Sequence, residues 1–218
     1  MTSQDMEARL RRVGVVPIIV PRSVAFCLDV IGPLAEGGAE GIEIVMRTRE
    51  ALPAVEAARK AFPDLLIGVG TVMTPEQYDA AVAAGAAFAI CPGFPPVLAE
   101  HVRRSGPIPF VPGTVTPTEV MTAQRAGFDI LKFYPSGPSG GTATLGDYGN
   151  VFPKARFMPS GKIGLDDLPD YGSLANIVSV GGSWMYMNGD RPFERAEIVA
   201  RMRRSREAMR GAFAISTT

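Results

Sequence analysis

Residues 66–92, LIGVGTVMTPEQYDAAVAAGAAFAICP, hold one complete unit of the pattern that decides the fold. A β-rich run at Leu66–Val72 is followed by Thr74, which can cap a helix, and by a proline at the first helical position. The helix is predicted to end at Gly85, before the next β-rich run at Phe88–Pro92. The stretch therefore predicts a strand, a loop, a helix, a turn and a second strand.

This unit recurs along the chain. Thr116-Pro117-Thr118-Glu119 repeats the capped helix start, Gly127 closes that helix, and Leu52–Phe62 has apolar residues at helical spacing. Strands that alternate with helices imply a parallel sheet, and eight units favour closure into an α/β fold of the (β/α)8 TIM barrel type. The predicted strands are Val15–Val20, Gly41–Arg47, Leu66–Val72, Phe88–Pro92, Ile108–Pro112, Ile130–Tyr134, Phe157–Ser160 and Ile177–Val180.

An open doubly wound sheet is the alternative architecture. Its phosphate-binding fingerprint, GxGxxG after the first strand, is absent, and Pro21-Arg22-Ser23 stands there instead. No linker or low-complexity tract interrupts the pattern, so residues 1–218 are predicted to form a single domain. Within it, residues 1–14 are expected to form an N-terminal helix that caps the bottom of the barrel, and residues 190–218 a C-terminal helix.

Composition excludes several classes of function. Lys plus Arg and Asp plus Glu each number 22, and the resulting formal net charge of zero favours neither a nucleic-acid partner nor an anionic membrane. The apolar run Val13–Val20 is too short to span a bilayer, and no signal peptide is recognised, so the chain is expected in the cytoplasm. The single histidine, His101, cannot build a multi-histidine metal site, and no metal or organic cofactor is predicted. Cys27 and Cys91 are expected to be small buried hydrophobes.

Lys132 is the residue that points most directly to chemistry. It lies in the run Asp129-Ile130-Leu131-Lys132-Phe133-Tyr134-Pro135, between large apolar side chains. A buried ammonium must be solvated, paired or neutral. A neutral lysine amine is a nucleophile that can form a Schiff base with a ketone. The sequence therefore indicates Lys132 as a candidate Schiff-base residue.

Other polar residues are predicted to meet Lys132. Side chains alternate along a strand, so Glu43 and Arg47 share one face of the second strand, and charged residues belong in the lumen or at its mouth. Arg47 would disfavour the charged form of Lys132 and could grip a substrate carboxylate, while Glu43 could move protons. Thr71 can add a hydroxyl at the rim. The alternative is a plain buried ion pair between Glu43 and Lys132, with Arg47 at the surface.

Glycines follow the last two predicted strands. Pro159-Ser160-Gly161-Lys162-Ile163-Gly164 comes after the seventh, and Val180-Gly181-Gly182-Ser183-Trp184 after the eighth. Barrels often bind phosphate at this place through backbone N–H groups, and glycine allows the close approach. The pair of motifs indicates an anion site.

From about Val15 to Trp184 the chain resembles the 2-keto-3-deoxy-6-phosphogluconate / 4-hydroxy-2-oxoglutarate aldolases. The resemblance implies a homotrimeric class I aldolase that needs no cofactor and releases pyruvate and glyceraldehyde 3-phosphate. The motifs that carry it are EIVMRT (43–48), GVGTV (68–72), CPG (91–93), VPG (111–113), LKFYP (131–135) and GGSW (181–184).

The resemblance also implies roles for individual residues. Lys132 would be the Schiff-base lysine and Glu43 the proton acceptor and donor. The substrate-binding residues would be Arg47 and Thr71 at the pyruvate carboxylate, with Ser160 nearby, and Gly161, Lys162, Gly182 and Ser183 at the phosphate end.

Two departures from the family pattern concern the distal end of the substrate. Lys162 replaces the second glycine of the usual Gly-Gly pair, where its ammonium would strengthen phosphate binding or its side chain would obstruct the site. Pro135-Ser136-Gly137 replaces the usual Pro-Ala-Glu. An aldolase for 6-phosphogalactonate derivatives or for an unphosphorylated 4-hydroxy-2-oxo acid therefore stays open. From other classes, a phosphosugar isomerase with Glu43 as its base and a non-catalytic sugar-acid binder also stay open.

Overall fold

The computed structural model describes residues 3–215, and the side chains of residues 5–210. Residues 1–2 of the predicted N-terminal helix and 216–218 of the predicted C-terminal helix lie outside the described residues. The strands are β1 (Gly14–Ile19), β2 (Gly41–Val45), β3 (Leu66–Gly70), β4 (Phe88–Ile90), β5 (Phe110–Val111), β6 (Gly113–Thr114), β7 (Ile130–Phe133), β8 (Arg156–Pro159), β9 (Ser179–Gly182), β10 (Met187–Asn188) and β11 (Arg191–Pro192). The helices are α1 (Ser3–Val13), α2 (Val24–Glu36), α3 (Ala51–Ala61), α4 (Pro75–Ala83), α5 (Pro96–Ser105), α6 (Pro117–Arg125), α7 (Gly141–Val151), α8 (Leu168–Gly172) and α9 (Arg195–Ile215), with a 3-10 turn at Gly137–Ser139.

The sheet is parallel and curled, which confirms the α/β class. Six strands pair in the order β5-β4-β3-β2-β1-β9, and β6, β7 and β8 pair in a second parallel group. Parallel bridges from Phe157 to Ile177 and from Ser160 to Gly181 connect the two groups at one side. The fifth predicted strand, Ile108–Pro112, forms only as β5, and β6 begins after Pro112, whose nitrogen has no hydrogen to donate to a ladder.

The helix signals that the sequence predicted are confirmed. The hydroxyl of Thr74 accepts from the amide of Gln77, and Thr116 forms a reciprocal capping box with Glu119 at the start of α6. Gly127 ends the same helix with a φ of +87°, a left-handed conformation that suits glycine.

The predicted C-terminal helix begins later than residue 190. Residues 187–192 form a small antiparallel hairpin, in which Met187 pairs with Pro192 and Asn188 with Arg191. Gly189, with a φ of +59°, makes the turn between the two strands. Helix α9 therefore starts at Arg195, and the hairpin extends from the carboxyl end of β9.

Apolar side chains close one end of the curled sheet. Met6 and Leu10 of α1 are almost fully buried at the amino-terminal ends of the strands. They belong to an inner cluster that includes Phe88, Met158 and Val178. These apolar side chains occupy the amino-terminal end of the inner face, and the polar residues predicted for the site lie toward the carboxyl ends of the strands. Among the described residues, no helix combines the length and apolar content needed to cross a membrane.

Candidate active site

Glu43 and Lys132 meet inside the curled sheet. Glu43 stands in register with Ile18 on β1 and with Gly68 on β3, and Lys132 is on β7. Lys132 Nζ donates to Glu43 Oε1 at 3.1 Å and lies 3.5 Å from Oε2. The lysine side chain is 7% exposed and the glutamate side chain 0%. The two groups that the sequence predicted to share the lumen are thus in contact, and both are withdrawn from water.

Two glycines on β3 create the space for this pair. Gly68 and Gly70 occupy alternate positions, so they share the inner face of the strand. A Cβ on Gly70 would lie 1.8 Å from Glu43 Oε1, and a Cβ on Gly68 would lie 2.1 Å from the ring of Phe88. Any side chain at Gly70 would occupy the position of the carboxylate. The alternate glycines of the GVGTV motif are a signal for this pocket that sequence reasoning did not use.

A cavity of about 370 Å³ opens above the pair, at the carboxyl ends of the strands. Strands β8, β9, β1 and β2 are neighbours around the sheet, so the loops that follow them converge on this cavity. Six residues predicted for the site line it: Arg47, Lys132, Ser160, Gly161, Gly182 and Ser183. Lys132 connects the cavity to Glu43, which lies behind it.

Thr71 follows β3 in a strained conformation and is not among the residues that line the cavity. Its φ is +62°, which is rare for a residue branched at Cβ and costs about 1–3 kcal/mol. Its hydroxyl accepts a hydrogen bond from Arg47 Nε at 3.4 Å. The strained residue is thus hydrogen-bonded to Arg47, which lines the same cavity as Lys132.

The hydroxyl of Ser160 has unused hydrogen-bonding capacity. Ser160 lines the cavity and is 1% exposed. Among the described residues, no group forms a hydrogen bond with its Oγ. A buried hydroxyl without a partner is costly, so this atom is well suited to bind a polar group of a ligand.

The structure does not bring Lys162 into the cavity. Lys162 is exposed, has a φ of +58°, and is not among the residues that line the cavity. Its Cβ lies on the side of the 3-10 turn, 2.9 Å from the position that a Cβ on Gly137 would take. Lys162 therefore does not form part of the cavity wall.

Replacing Lys162 by glycine is expected to stabilise the protein without changing catalysis. A left-handed conformation costs a non-glycine residue about 1–2 kcal/mol, and the extra entropy of glycine in the unfolded chain offsets part of this gain. We expect the free energy of unfolding to rise by about 1 kcal/mol in urea titrations.

Lys154→Gly is the matched control for this change. Lys154 is also an exposed lysine in a turn, but its φ is not positive. The free energy of unfolding should fall there by about 0.5–1 kcal/mol. A loss of stability in Lys162→Gly, or a KM about tenfold higher, would contradict this placement of the side chain.

Several cavity residues were not predicted from the sequence. Arg22 and Phe26 follow β1, Met187 and Gly189 belong to the hairpin, and Tyr186 directly precedes it. Arg22 could have been found as a charged residue just beyond a strand at its carboxyl end. The hairpin had its own signal in the dipeptide Asn188-Gly189.

Tyr186 forms a neutral wall of the cavity. Its hydroxyl donates to the carbonyl oxygen of Ile18 at 2.9 Å. Burial raises the pKa of Tyr186 to about 12, so the phenol stays protonated at neutral pH. Among the described residues, no three His, Cys, Asp or Glu side chains come together as metal ligands.

The chain is similar to known aldolases over most of its length. The family model "KDPG and KHG aldolase" matches residues 6–198. A 2-dehydro-3-deoxy-phosphogluconate aldolase of Treponema pallidum is 36% identical over 81% of this chain and 83% of its own length.

Two solved structures are also similar. The 2-keto-3-deoxy-6-phosphogluconate aldolase of Zymomonas mobilis ZM4, solved with 3-phosphoglycerate, has a TM-score of 0.88 at 30% identity, covering 97% of this chain and 99% of its own. The KDPG aldolase of Legionella pneumophila, with pyruvate captured as a covalent carbinolamine, has a TM-score of 0.79 at 34% identity, covering 94% and 97%.

Proposed function

Because the chain belongs to the KDPG and KHG aldolase family, whose members are carbon–carbon lyases, we propose that it cleaves a 2-keto-3-deoxy-6-phospho sugar acid. The products are pyruvate and glyceraldehyde 3-phosphate, and the 6-phosphogluconate derivative is the proposed substrate. The observation that carries the proposal is the position of Lys132, which lines the cavity and lies 3.1 Å from the buried carboxylate of Glu43. An amine with a proton acceptor at hydrogen-bond distance is the arrangement that Schiff-base chemistry requires.

In the proposed mechanism, Lys132 gives a proton to Glu43 and attacks the C2 carbonyl carbon of the substrate. The carbinolamine loses water, with the proton supplied by Glu43, and becomes an iminium ion. Glu43, directly or through a water, takes the proton of the C4 hydroxyl. The electrons of the C3–C4 bond move into the iminium, and the aldehyde leaves.

The remaining enamine of pyruvate is discharged by the same two residues. Glu43 returns the proton to C3, which restores the iminium, and water hydrolyses it to free pyruvate and the amine. Each proton that Glu43 accepts is returned within the cycle, so no metal or organic cofactor is required. The covalent carbinolamine captured in the Legionella relative supports this chemistry for Lys132.

The other site residues receive binding roles in this proposal. Arg47 and Thr71, already hydrogen-bonded to each other, hold the pyruvate carboxylate, because a guanidinium can donate two bonds to it. The unpartnered hydroxyl of Ser160 binds a polar group near the reacting carbons. The loops that contain Gly161, Gly182 and Ser183 bind the phosphate.

Architecture and assembly complete the proposal. The bridges between β8 and β9, and the bond from the Gly113 amide to the Gly93 carbonyl at 2.8 Å, support closure into an eight-stranded (β/α)8 barrel. Residues 1–218 then form one domain, with α1 at its base. A homotrimer, a cytoplasmic location and a role in Entner–Doudoroff-type sugar-acid breakdown belong to the same proposal.

Borohydride reduction in the presence of pyruvate tests the covalent step. Reduction converts the imine to a stable secondary amine, and peptide mass spectrometry is expected to locate it on Lys132. Without pyruvate, the same peptide should stay unmodified. Proton exchange on a phosphosugar without a trapped adduct would indicate an isomerase instead. A trapped adduct on another lysine would contradict the assignment of Lys132.

A further inference from the structure

The cavity presents more positive charge than the Schiff-base chemistry uses. Arg22, Arg47 and Lys132 line it, whereas none of the residues that line it is an aspartate or a glutamate. Glu43 balances Lys132 from behind. Arg47 donates to the Thr71 hydroxyl, and Arg22 donates to the backbone carbonyl of Asp190. Within residues 5–210, neither arginine forms an ion pair with a carboxylate. Two guanidinium charges thus remain for a ligand.

Arg22 lies apart from Arg47, near the two loops that carry Gly161 and Gly182 and are called the glycine loops. In the sheet, β1 lies between β9 and β2, and Pro17 of β1 stands in register with Gly182 of β9. The loop after β1, which carries Arg22, is therefore the neighbour of the loop that carries Ser183. Arg47, after β2, lies on the other side of β1.

Neighbouring groups hold the guanidinium of Arg22 in place. It donates to the carbonyl oxygen of Asp190 in the hairpin, and its central carbon lies 5.1 Å from the centre of the Phe26 ring. Phe26 is itself fixed at the start of α2, where its amide donates to the hydroxyl of Ser23 at 3.0 Å. Guanidinium has five N–H donors, so further donors remain for an anion.

Resting on the proposed function, we infer that Arg22 binds the phosphate at the distal end of the substrate and sets the preference for phosphorylated over unphosphorylated sugar acids. The substrate then extends from a carboxylate at Arg47, past Lys132, to a phosphate held between Arg22 and the glycine loops. This assigns to Arg22 the cationic role that the sequence suggested for Lys162, which does not line the cavity.

Kinetics on a matched pair of substrates test this inference. For Arg22→Gln, we expect the KM for 2-keto-3-deoxy-6-phosphogluconate to rise about 10- to 100-fold, the usual effect of losing a charge-assisted hydrogen bond. The kcat should stay within about threefold. With unphosphorylated 2-keto-3-deoxygluconate, kcat/KM should stay within about threefold, because no phosphate is present to lose its partner. Arg22→Lys should recover part of the KM, and the control Lys162→Gln should behave like the unaltered protein.

A structural role for Arg22 predicts a different pattern. If Arg22 only fixed the hairpin, Arg22→Gln would lower kcat/KM equally for both substrates. That result, or an unchanged KM in Arg22→Gln, or a loss in Lys162→Gln alone, would overturn the inference.

Two further measurements separate this inference from the proposed function. Pyruvate has no phosphate, so borohydride trapping with pyruvate should succeed equally in the unaltered protein and in Arg22→Gln. A failure of trapping in the unaltered protein would refute the Schiff base and would leave the role of Arg22 in phosphate binding to the binding measurement. Binding of glycerol 3-phosphate, measured by calorimetry, requires no turnover. Its Kd should rise about 10-fold or more in Arg22→Gln, and an unchanged Kd would overturn the role of Arg22 whatever the catalytic result.

Discussion

Lys132→Met is expected to lower pyruvate release by about 10⁴-fold or more, because among the described residues that line the cavity Lys132 is the one lysine that can form the covalent intermediate. The same change leaves the fully buried carboxylate of Glu43 without its partner at 3.1 Å. Breaking a buried ion pair typically costs about 3–5 kcal/mol, so the free energy of unfolding should fall as well. Pyruvate release in a coupled assay and urea titration on the same preparation measure the two effects.

A second variant separates catalysis from stability. In Lys132→Met/Glu43→Met, both charges are replaced by apolar side chains of similar length. Such replacement of a buried pair is often neutral or stabilising, so most of the lost stability should return. Activity should remain absent. Pyruvate release within about 100-fold of the unaltered protein in Lys132→Met would contradict the catalytic role.

The contact between Glu43 and Lys132 can be predicted from the sequence because two local rules determine it. Side chains alternate along each strand, and consecutive parallel strands follow one another around the sheet. A charged residue inside an apolar run must then face the lumen, where the opposite strand supplies its partner. These rules need only the period of the pattern and the order of the strands, both of which are visible in one sequence.

The loops were less predictable because alternation ends where the strand ends. The motif predicts Lys162 near the phosphate, but Lys162 has a φ of +58° and is not among the residues that line the cavity. Arg22 belongs to the segment that stands where a doubly wound fold would have its phosphate-binding fingerprint, and no periodic pattern predicts that it lines the cavity. Only residues 190–192 of the hairpin at 187–192 fall within the predicted C-terminal helix. In each case a backbone turn, and not a periodic pattern, decides where the side chain lies.

Gly70→Ala is expected to lower kcat by about 100-fold or more while the protein stays folded. The added Cβ would lie 1.8 Å from Glu43 Oε1 and 2.6 Å from its Cδ, so one of the two groups must move. The carboxylate is the free end of a side chain, whereas Gly70 is fixed in the ladder, where its carbonyl accepts from the amide of Met46 at 2.8 Å. Glu43 is therefore displaced from Lys132, and general acid–base catalysis of about 10²–10⁴-fold is lost. The overpacking should cost about 1–3 kcal/mol in urea titrations.

Gly93→Ala is the matched control, because a Cβ at Gly93 meets no atom within 4 Å and its φ is not positive. It should keep kcat within about twofold. If Gly70→Ala acts by displacing Glu43, then combining it with Glu43→Gln should reduce kcat no further than the more severe single change, since both remove one function. Multiplicative losses in the double variant would show that the methyl group acts elsewhere. A kcat for Gly70→Ala within about threefold of the unaltered protein would contradict the role of the glycine in holding the carboxylate against the lysine.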